Sequence, residues 1–190
     1  MNIVGLLLAA GSASRFGSDK LRHRLPHGVP IAVQSARHLK SQLPRVLVVV
    51  RHADARDAFT PEGCQSVVCE NADDGMGASL ACAARAAGEA DAYIVALADM
   101  PFVRPATIGA VRDALAGGAA LAAPYFRARR GHPVGIAGSF YEQLILLTGD
   151  EGARRIIAAN ESVLVKIPVG DPGVIRDIDR PEDLLPPLRV

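Results

Sequence analysis

Residues 2–20 read NIVGLLLAAGSASRFGSDK, an apolar run that passes directly into a loop of small residues and ends at Lys20. The run at 2–8 predicts a strand buried on both faces, as in a parallel sheet covered by helices, because it is apolar almost throughout. The small residues around Gly11 let the backbone approach a ligand closely and turn N–H groups toward phosphate oxygens. Arg15 and Lys20 add positive charge, so the loop is a candidate site for a phosphorylated ligand.

The spacing of this loop excludes the two common nucleotide-binding motifs. A Walker A loop has four residues between its glycines and a lysine directly after the second, whereas here five residues separate Gly11 from Gly17 and Lys20 follows three positions later. The dinucleotide-binding fingerprint needs a third glycine that this loop lacks. The second apolar run, 45–50, is followed by Arg51 rather than by an acidic residue, which also argues against a Rossmann oxidoreductase.

Along the rest of the chain, β-branched apolar runs alternate with alanine-rich segments of helical period. This alternation predicts βαβ units and an α/β fold with a mostly parallel sheet. No run has the tight Asn-Gly turn of a hairpin. Strands are predicted at 2–8, 45–50, 66–69, 92–98, 119–123 and 162–167, and helices at 31–41, 76–88, 105–116, 139–147 and 151–160, with a short one from residue 181. The long loops at 9–30, 70–75 and 125–133 are then expected where an open α/β sheet binds its ligand.

Composition and charge exclude several classes of function. The 190 residues are 49% apolar, enough for one sizeable core, so a single domain spanning 1–190 is expected. A net charge of +1 and 4% aromatic residues without tryptophan argue against binding to nucleic acid. The N-terminal apolar run is too short for a membrane span and has no charged leader, which predicts a cytoplasmic protein with no membrane partner.

Acidic residues follow the fourth predicted strand and recur near the C-terminus. Asp99 comes directly after the run 92–98, at the carboxyl edge of the predicted sheet, where a carboxylate suits Mg²⁺. Asp177 and Asp179 are two residues apart in an extended segment, and therefore lie on one face. Either one is a candidate second ligand. Asp179 is equally interpreted as the cap of the last predicted helix, in which case Glu182 completes a capping box.

A second glycine-rich segment follows the third predicted strand. Asn71 precedes Gly75 and Gly77, and Ser79 follows in the first turn of the helix predicted at 76–88. A helix N-terminus offers free N–H groups and the positive end of the helix dipole. The glycines permit close approach, so Asn71 and Ser79 are candidates for binding a ribose or a base.

Taken together, the motifs resemble those of the nucleotidyltransferases that activate sugar phosphates, isoprenoid precursors and molybdopterin. The resemblance covers residues 4–184, and its five motifs fall in the family's order. The string Leu-Ala-Ala-Gly before Ser-Ala-Ser-Arg-Phe-Gly-Ser-Asp-Lys is most similar to the molybdenum cofactor cytidylyltransferases, whereas the guanylyltransferase branch usually has a second glycine in place of Ala10. Gly-His-Pro-Val at 131–134 and Gly-Asp-Glu-Gly-Ala-Arg at 149–154 look like the segments that mark the members handling molybdopterin. One departure is Arg180, where threonine is usual.

The resemblance implies a three-layer, mostly parallel, doubly wound and Rossmann-like nucleotide-diphospho-sugar transferase fold. The implied reaction transfers CMP from CTP to the terminal phosphate of molybdopterin, with Mg²⁺ as cofactor, and yields molybdopterin cytosine dinucleotide and pyrophosphate. The molybdoenzyme that receives the product, or its maturation factor, is the further partner implied. The implied site residues are Arg15, Lys20 and Asp99 for catalysis, Asp99 and Asp179 for the metal, Leu8, Ala9, Ala10, Gly11, Arg15, Lys20, Asn71, Gly75 and Ser79 for the nucleotide, and His132, Asp150 and Arg154 for the acceptor.

Other functions stay open on the sequence alone. Within the same fold, the alternatives are a guanylyltransferase or an enzyme that transfers a nucleotide to another phosphorylated acceptor. A non-catalytic module that binds a pterin or a nucleotide is less favoured, since Lys20 and Asp99 are both present. His132 is interpreted as a hydrogen-bonding or packing residue rather than a general base, and the arginines at 127, 129 and 130 as a solvated cluster.

Overall fold

In the part of the chain that the structure describes, the middle layer is a mixed, mostly parallel sheet of eight strands. The structure is a computed structural model and describes residues 1–11 and 20–184. The strands are β1 (Ile3–Ala9), β2 (Arg45–Val50), β3 (Gln65–Val68), β4 (Ala92–Leu97), β5 (Leu121–Phe126), β6 (Arg129–Arg130), β7 (Val134–Ala137) and β8 (Leu164–Pro168). They lie in the order β3-β2-β1-β4-β7-β5-β6, and β8 pairs with β5 in parallel.

The first four strands pair in parallel and form the centre of the sheet. β1 pairs with β2 and with β4, and β2 pairs with β3. In β1 every residue from Ile3 to Leu8 is buried, as the apolar sequence predicts. The predicted α/β class is confirmed. Parallel pairing brings the carboxyl ends of β1, β2 and β4 together at one side of the sheet, here called the carboxyl edge.

Helices cover both faces of the sheet and complete three layers. They are α1 (Ile31–Lys40), α2 (Met76–Ala87), α3 (Pro105–Ala116), α4 (Tyr141–Ile145) and α5 (Arg154–Ala159). One face packs against α1 and α3, with Leu7, Leu39 and Val111 in its core. The other face packs against α2, α4 and α5, with Leu80 and Ile157 in its core. The longest helices have 12 residues, and nowhere in the described part of the chain is there a helix that could span a membrane.

The segment 125–133, predicted to be a loop, instead continues the sheet. β5 extends to Phe126 and turns through Arg127 and Ala128, whose φ values are 48° and 64°, into β6. β7 then runs antiparallel between β4 and β5. The hairpin was not predicted because neither glycine nor asparagine occupies its left-handed turn.

Short turns also change the ends of three predicted elements. The helix predicted at 139–147 is reduced to α4, because a 3₁₀ turn at Gly138–Phe140 takes up its first residues. The helix predicted at 151–160 loses its first turn to the bend at Gly152, where φ is 53°. The strand predicted at 162–167 begins at Leu164, after another 3₁₀ turn.

Candidate functional site

Asp99 lies at the carboxyl edge because β4 ends two residues before it. The Ala98 N–H donates to the Leu8 carbonyl (3.0 Å), which keeps this segment beside the end of β1. The Asp99 carbonyl accepts from the Ile178 N–H (2.9 Å). This bond holds the C-terminal segment against the carboxyl edge and brings the two acidic residues that flank Ile178 to Asp99.

Three carboxylates and one ammonium group meet at this point. Asp99, Asp177 and Asp179 place carboxylate oxygens within 4.8 Å of one another. The Lys20 Nζ donates to Asp99 Oδ2 and to Asp179 Oδ1, at 3.0 Å in each case. Lys20 itself is buried, with 9% of its surface exposed. These four residues are called the Asp99 cluster below.

The charges of the Asp99 cluster shift the pKa values of Lys20 and Asp177. Burial lowers the pKa of Lys20, but the attraction of Asp99 and the hydrogen bonds to Asp179 and Asp99 outweigh burial and leave that pKa raised. Partial loss of solvation, to which the charges of Asp179 and Asp99 add, raises the pKa of Asp177. A position between three acids, two of which already hold a cation, offers the oxygen ligands that a hard divalent ion such as Mg²⁺ prefers.

A cavity of about 270 Å³ opens beside Asp99 and is called the Asp99 cavity. Its walls come from the loop after β1, from Arg51 after β2 and from the start of α2. Gly75 immediately precedes α2 and has a φ of 113°. A Cβ at this position would lie 2.5 Å from Gly149, so only glycine lets the start of α2 approach the turn around Gly149. The residues that line the Asp99 cavity include Leu8, Ala10, Gly11, Asp73, Met76 and Ser79.

A second cavity of about 380 Å³ adjoins the first and is called the His132 cavity. Apolar side chains such as Val95 and Ile157 line it together with charged ones, among them Arg130 and Arg154. The two cavities share Leu8, Met76, Leu97 and Asp150 as lining residues. Ligands held in both cavities would therefore meet at this shared wall.

His132 lines the His132 cavity, and its imidazole is neutral at pH 7 because its pKa is lowered. Burial of the ring, to which the charge of Arg130 adds, lowers the pKa of His132 to about 4, and the Val95 carbonyl and Asp177 oppose this only in part. Its Nδ1 is buried and has no hydrogen-bond partner among the described residues. A buried ring nitrogen of this kind is a group that a bound ligand would satisfy.

Most of the site residues expected from the sequence lie around the two cavities or in the Asp99 cluster. Ala9 differs, since it faces the opposite side of the sheet, where α1 packs. The Asn71 Oδ1 accepts from the Cys69 thiol (3.2 Å). Arg15 lies outside the described residues. Of the others, Leu8, Ala10, Gly11, Gly75, Ser79 and Asp99 line the Asp99 cavity, His132 and Arg154 line the His132 cavity, Asp150 lines both, and Lys20 and Asp179 belong to the cluster.

The carboxylate that caps the last described turn belongs to Asp183. Its Oδ2 accepts from the Asp179 N–H (3.1 Å) and from the Arg180 N–H (2.9 Å). Glu182 therefore does not supply the reciprocal bond of the capping box that the sequence suggested. The Asp179 carboxylate meanwhile accepts from Lys20, so this residue faces the Asp99 cluster.

Two arginines of the site were not singled out from the sequence. Arg51 lines the Asp99 cavity from the end of β2, and Arg130 lines the His132 cavity from β6. The position of Arg51 in the sequence could have indicated a site residue, because Arg51 directly follows a buried strand and therefore lies at the carboxyl edge. For Arg130 the basic cluster at 127, 129 and 130 was a signal, but it was interpreted as solvated because the hairpin that carries Arg130 was not predicted. Its exposure does agree with the expected solvated cluster.

Comparisons with known proteins identify the family to which this chain belongs. The family described as the MobA-like NTP transferase domain matches residues 5–163. Purine catabolism protein PucB of Bacillus subtilis (strain 168) is 30% identical over 193 residues, which cover 95% of this chain and 93% of PucB.

Solved structures share the fold over nearly the whole chain. Rv0371c from Mycobacterium tuberculosis H37Rv superposes with a TM-score of 0.82 at 23% identity, covering 96% of this chain and 94% of that one. A manganese complex of Rv0371c gives a TM-score of 0.77 at 22% identity, covering 96% of each chain. Molybdopterin-guanine dinucleotide biosynthesis protein A from Archaeoglobus fulgidus gives a TM-score of 0.66 at 21% identity, covering 95% of this chain and 94% of that one. With its Rossmann-like three-layer fold and the family match over most of its length, the chain belongs to the MobA-like NTP transferase family of nucleotidyltransferases.

Proposed function

We propose that this chain, as one domain of residues 1–190, is a cytoplasmic Mg²⁺-dependent cytidylyltransferase that transfers CMP from CTP to molybdopterin. The observation that carries the proposal is the Asp99 cluster beside two adjoining cavities that share one wall. A terminal phosphate oxygen of molybdopterin attacks the α-phosphorus of CTP, and the bond from that phosphorus to the oxygen bridging to the β-phosphate breaks. The products are molybdopterin cytosine dinucleotide and pyrophosphate.

The residues of the Asp99 cluster fit a divalent ion. Asp99 and Asp179 would hold Mg²⁺, because both already contact the ammonium group of Lys20 and thus face one cation position. A bound ion of this kind withdraws charge from phosphate oxygens, which eases the approach of a second phosphate. The manganese complex of Rv0371c, which shares the fold, supports a divalent ion for this chain as well.

The protein's own task in this reaction is positioning and charge stabilisation, since phosphoryl-type transfer needs little covalent chemistry from the enzyme. Lys20 would neutralise the triphosphate and the departing pyrophosphate, with Arg15 as the second cation. The backbone around Gly11 and the N-terminus of α2 would hold the ribose and the base. Ser79 is buried in the first turn of that helix and lines the same cavity.

The choice of cytosine rests on Ala10. This residue is buried and lines the Asp99 cavity, where its methyl group leaves less room than a glycine would. Less room favours a pyrimidine over a purine.

The choice of molybdopterin rests on the His132 cavity. Arg154 and Arg130 supply positive charge for an acceptor phosphate, and the neutral His132 ring and the apolar wall suit a polar heterocycle. The name of the Archaeoglobus fulgidus protein contains the acceptor we propose for this chain. The molybdoenzyme, or its maturation factor, would then receive the dinucleotide product.

Calorimetric titration with CTP, GTP and NAD in the presence of Mg²⁺ tests the proposal, followed by measurement of pyrophosphate release with molybdopterin. The Asp99→Ala variant is expected to lose nucleotide binding. Asp113→Asn is the matched control, since this exposed carboxylate lies on α3 and pairs with its neighbour Arg112. Selective CTP binding that depends on Asp99, with pyrophosphate released only when molybdopterin is present, is the expected result. Preference for GTP would reassign the chain to guanylyl transfer, and binding of NAD alone would refute nucleotidyl transfer.

A further inference from the structure

Arg51 joins two walls of the Asp99 cavity that are distant in sequence. Its Nε and one terminal nitrogen donate to the Ala10 carbonyl, at 3.3 and 3.0 Å. The other terminal nitrogen forms an ion pair with Asp73, in the 3₁₀ turn Ala72–Asp74 that precedes α2. One side chain therefore links the loop after β1 to the acidic turn before α2.

The ion pair with Asp73 contributes little to the stability of the fold. The Asp73 side chain is 78% exposed, and ion pairs at such sites are weak because water screens them. The contacts do fix local geometry, because a planar guanidinium with three of its N–H groups engaged has one orientation. Arg51 lines the cavity itself, so what it fixes is the shape of a binding site.

The charges divide the cavity into two ends. The Asp99 cluster is the end that suits phosphates and a metal ion. At the other end the positive charge of Arg51 is balanced by Asp73, which leaves a polar surface without net charge, suited to an uncharged base. Two donors of Arg51 already bind the Ala10 carbonyl. Of the two acceptors that Arg51 contacts, the Asp73 carboxylate is therefore the one that could also bind the amino group of a base.

We propose that Arg51 is a positioning residue for the base of the nucleotide, acting as a clamp between the loop after β1 and the turn before α2. The inference rests on the proposed function, in that the ligand is a nucleoside triphosphate bearing an amino group on its base. Arg51 is not a catalytic residue in this account, since it acts through Ala10 and Asp73.

The variants Arg51→Met and Arg51→Lys test the clamp. Lysine keeps the charge but cannot make the two-pronged contact, so both variants are expected to bind CTP about tenfold more weakly. Michaelis–Menten kinetics should show this as a raised KM, with kcat within about twofold of the wild type. Arg45→Met is the matched control, because Arg45 starts the same strand and donates to a carbonyl at the other end of the sheet (Ala87, 3.0 Å).

A double-mutant cycle with Asp73→Asn completes the experiment. Because the two residues act as one unit, Arg51→Met combined with Asp73→Asn is expected to weaken binding no more than the stronger single variant. Amide hydrogen exchange without nucleotide should be faster around Ala10 and in the turn before α2 in Arg51→Met, but not in Arg45→Met. CTP affinity in Arg51→Met equal to that of Arg45→Met, or unchanged exchange, would overturn the clamp. If the wild-type protein binds no nucleotide while Arg51→Met still exchanges faster, the clamp is upheld and the proposed function is refuted instead.

Discussion

Lys20 is the residue that we propose stabilises the charge that develops during nucleotidyl transfer. It is buried, its pKa is raised by the carboxylates around it, and it contacts both acids proposed as metal ligands. In nucleotidyl transfer negative charge grows on the departing pyrophosphate, so a cation at this position stabilises the transition state more than bound CTP.

We therefore expect Lys20→Ala to lower kcat about 100-fold while the Kd for CTP changes by less than about fivefold. Single-turnover kinetics separate the chemical step from product release, and calorimetry gives the Kd. Lys20→Arg, which keeps a cation, should retain more activity than Lys20→Ala. Unchanged turnover in Lys20→Ala would remove this residue from the chemical step.

His132 predicts a pH dependence of stability. Its folded-state pKa of about 4 lies below the ordinary value of 6.5, so the unfolded chain binds the proton more tightly. The contribution of neutral His132 to the stability of the folded state is therefore fully present above pH 6.5 and is lost as the pH falls toward 4. Allowing for the part of the ring that reaches the cavity, the loss is about 2 kcal/mol in the free energy of unfolding. Urea titrations between pH 4 and 7 measure it.

His132→Gln is the control for that titration. Glutamine can occupy the same place with a polar group that does not titrate, so the slope of stability against pH should be shallower between pH 4 and 6.5. Equal slopes in the two proteins would mean that another group carries the effect, such as His38, whose pKa is also lowered by burial.

At the level of single residues, the sequence predicted which residues lie at the Asp99 cluster better than it predicted the contacts between them. Lys20, Asp99 and Asp179 were singled out by residue type and position, and they do lie together. Nothing in the sequence predicted that Lys20 would bridge the two acids, because a contact across 159 positions depends on how the chain folds. The bridging role of Arg51 was missed for the same reason.

Between elements, the approach of α2 to the turn at residues 148–150 determines how the two cavities meet. The Gly77 N–H donates to the Gly149 carbonyl at 2.6 Å, and a Cβ on Gly77 would lie 2.5 Å from the Thr148 carbonyl oxygen. Backbone atoms cannot yield as a flexible side chain does. A larger residue at this position must displace the turn that carries Asp150.

We expect Gly77→Ala to destabilise the protein by about 1–3 kcal/mol, although alanine is the better helix former. Urea unfolding measures this, and calorimetry should show weaker CTP binding because Asp150 moves. Gly109→Ala in α3 is the control. There a Cβ would meet only the end of the Gln42 side chain below 3.0 Å, so this variant should be neutral or slightly stabilised. Equal stability of the two variants would contradict the close approach.

The elements that the sequence failed to predict have a common physical cause. Helices and parallel strands are indicated by their period and by apolar runs, and these were found within a few residues of their ends. The β5–β6 hairpin turns through Arg127 and Ala128 in a conformation that their residue types do not favour. Tertiary contacts override local preference there, which is why β6, β7 and the mixed character of the sheet required the structure.

At the scale of the whole molecule, the two faces of one sheet pack into two different hydrophobic cores. Leu6 and Leu8 pack into the core on the α2 side, while Ile3 and Leu7, on the alternate positions of the same strand, pack into the core on the α1 and α3 side. The two cores therefore share β1, so the loss of order in one core would disturb the strand against which the other packs. This coupling is the physical argument for one domain.

The chain is accordingly expected to unfold as one cooperative unit. Differential scanning calorimetry should give a single transition whose calorimetric and van't Hoff enthalpies agree. Leu6→Ala and Leu7→Ala, which open cavities in the two different cores, should each lower the midpoint of that one transition, by about 2–5 kcal/mol of stability, and should not split it. Two separate transitions, or a shift confined to one part of the melt in either variant, would show that the two faces fold independently and would refute the single domain.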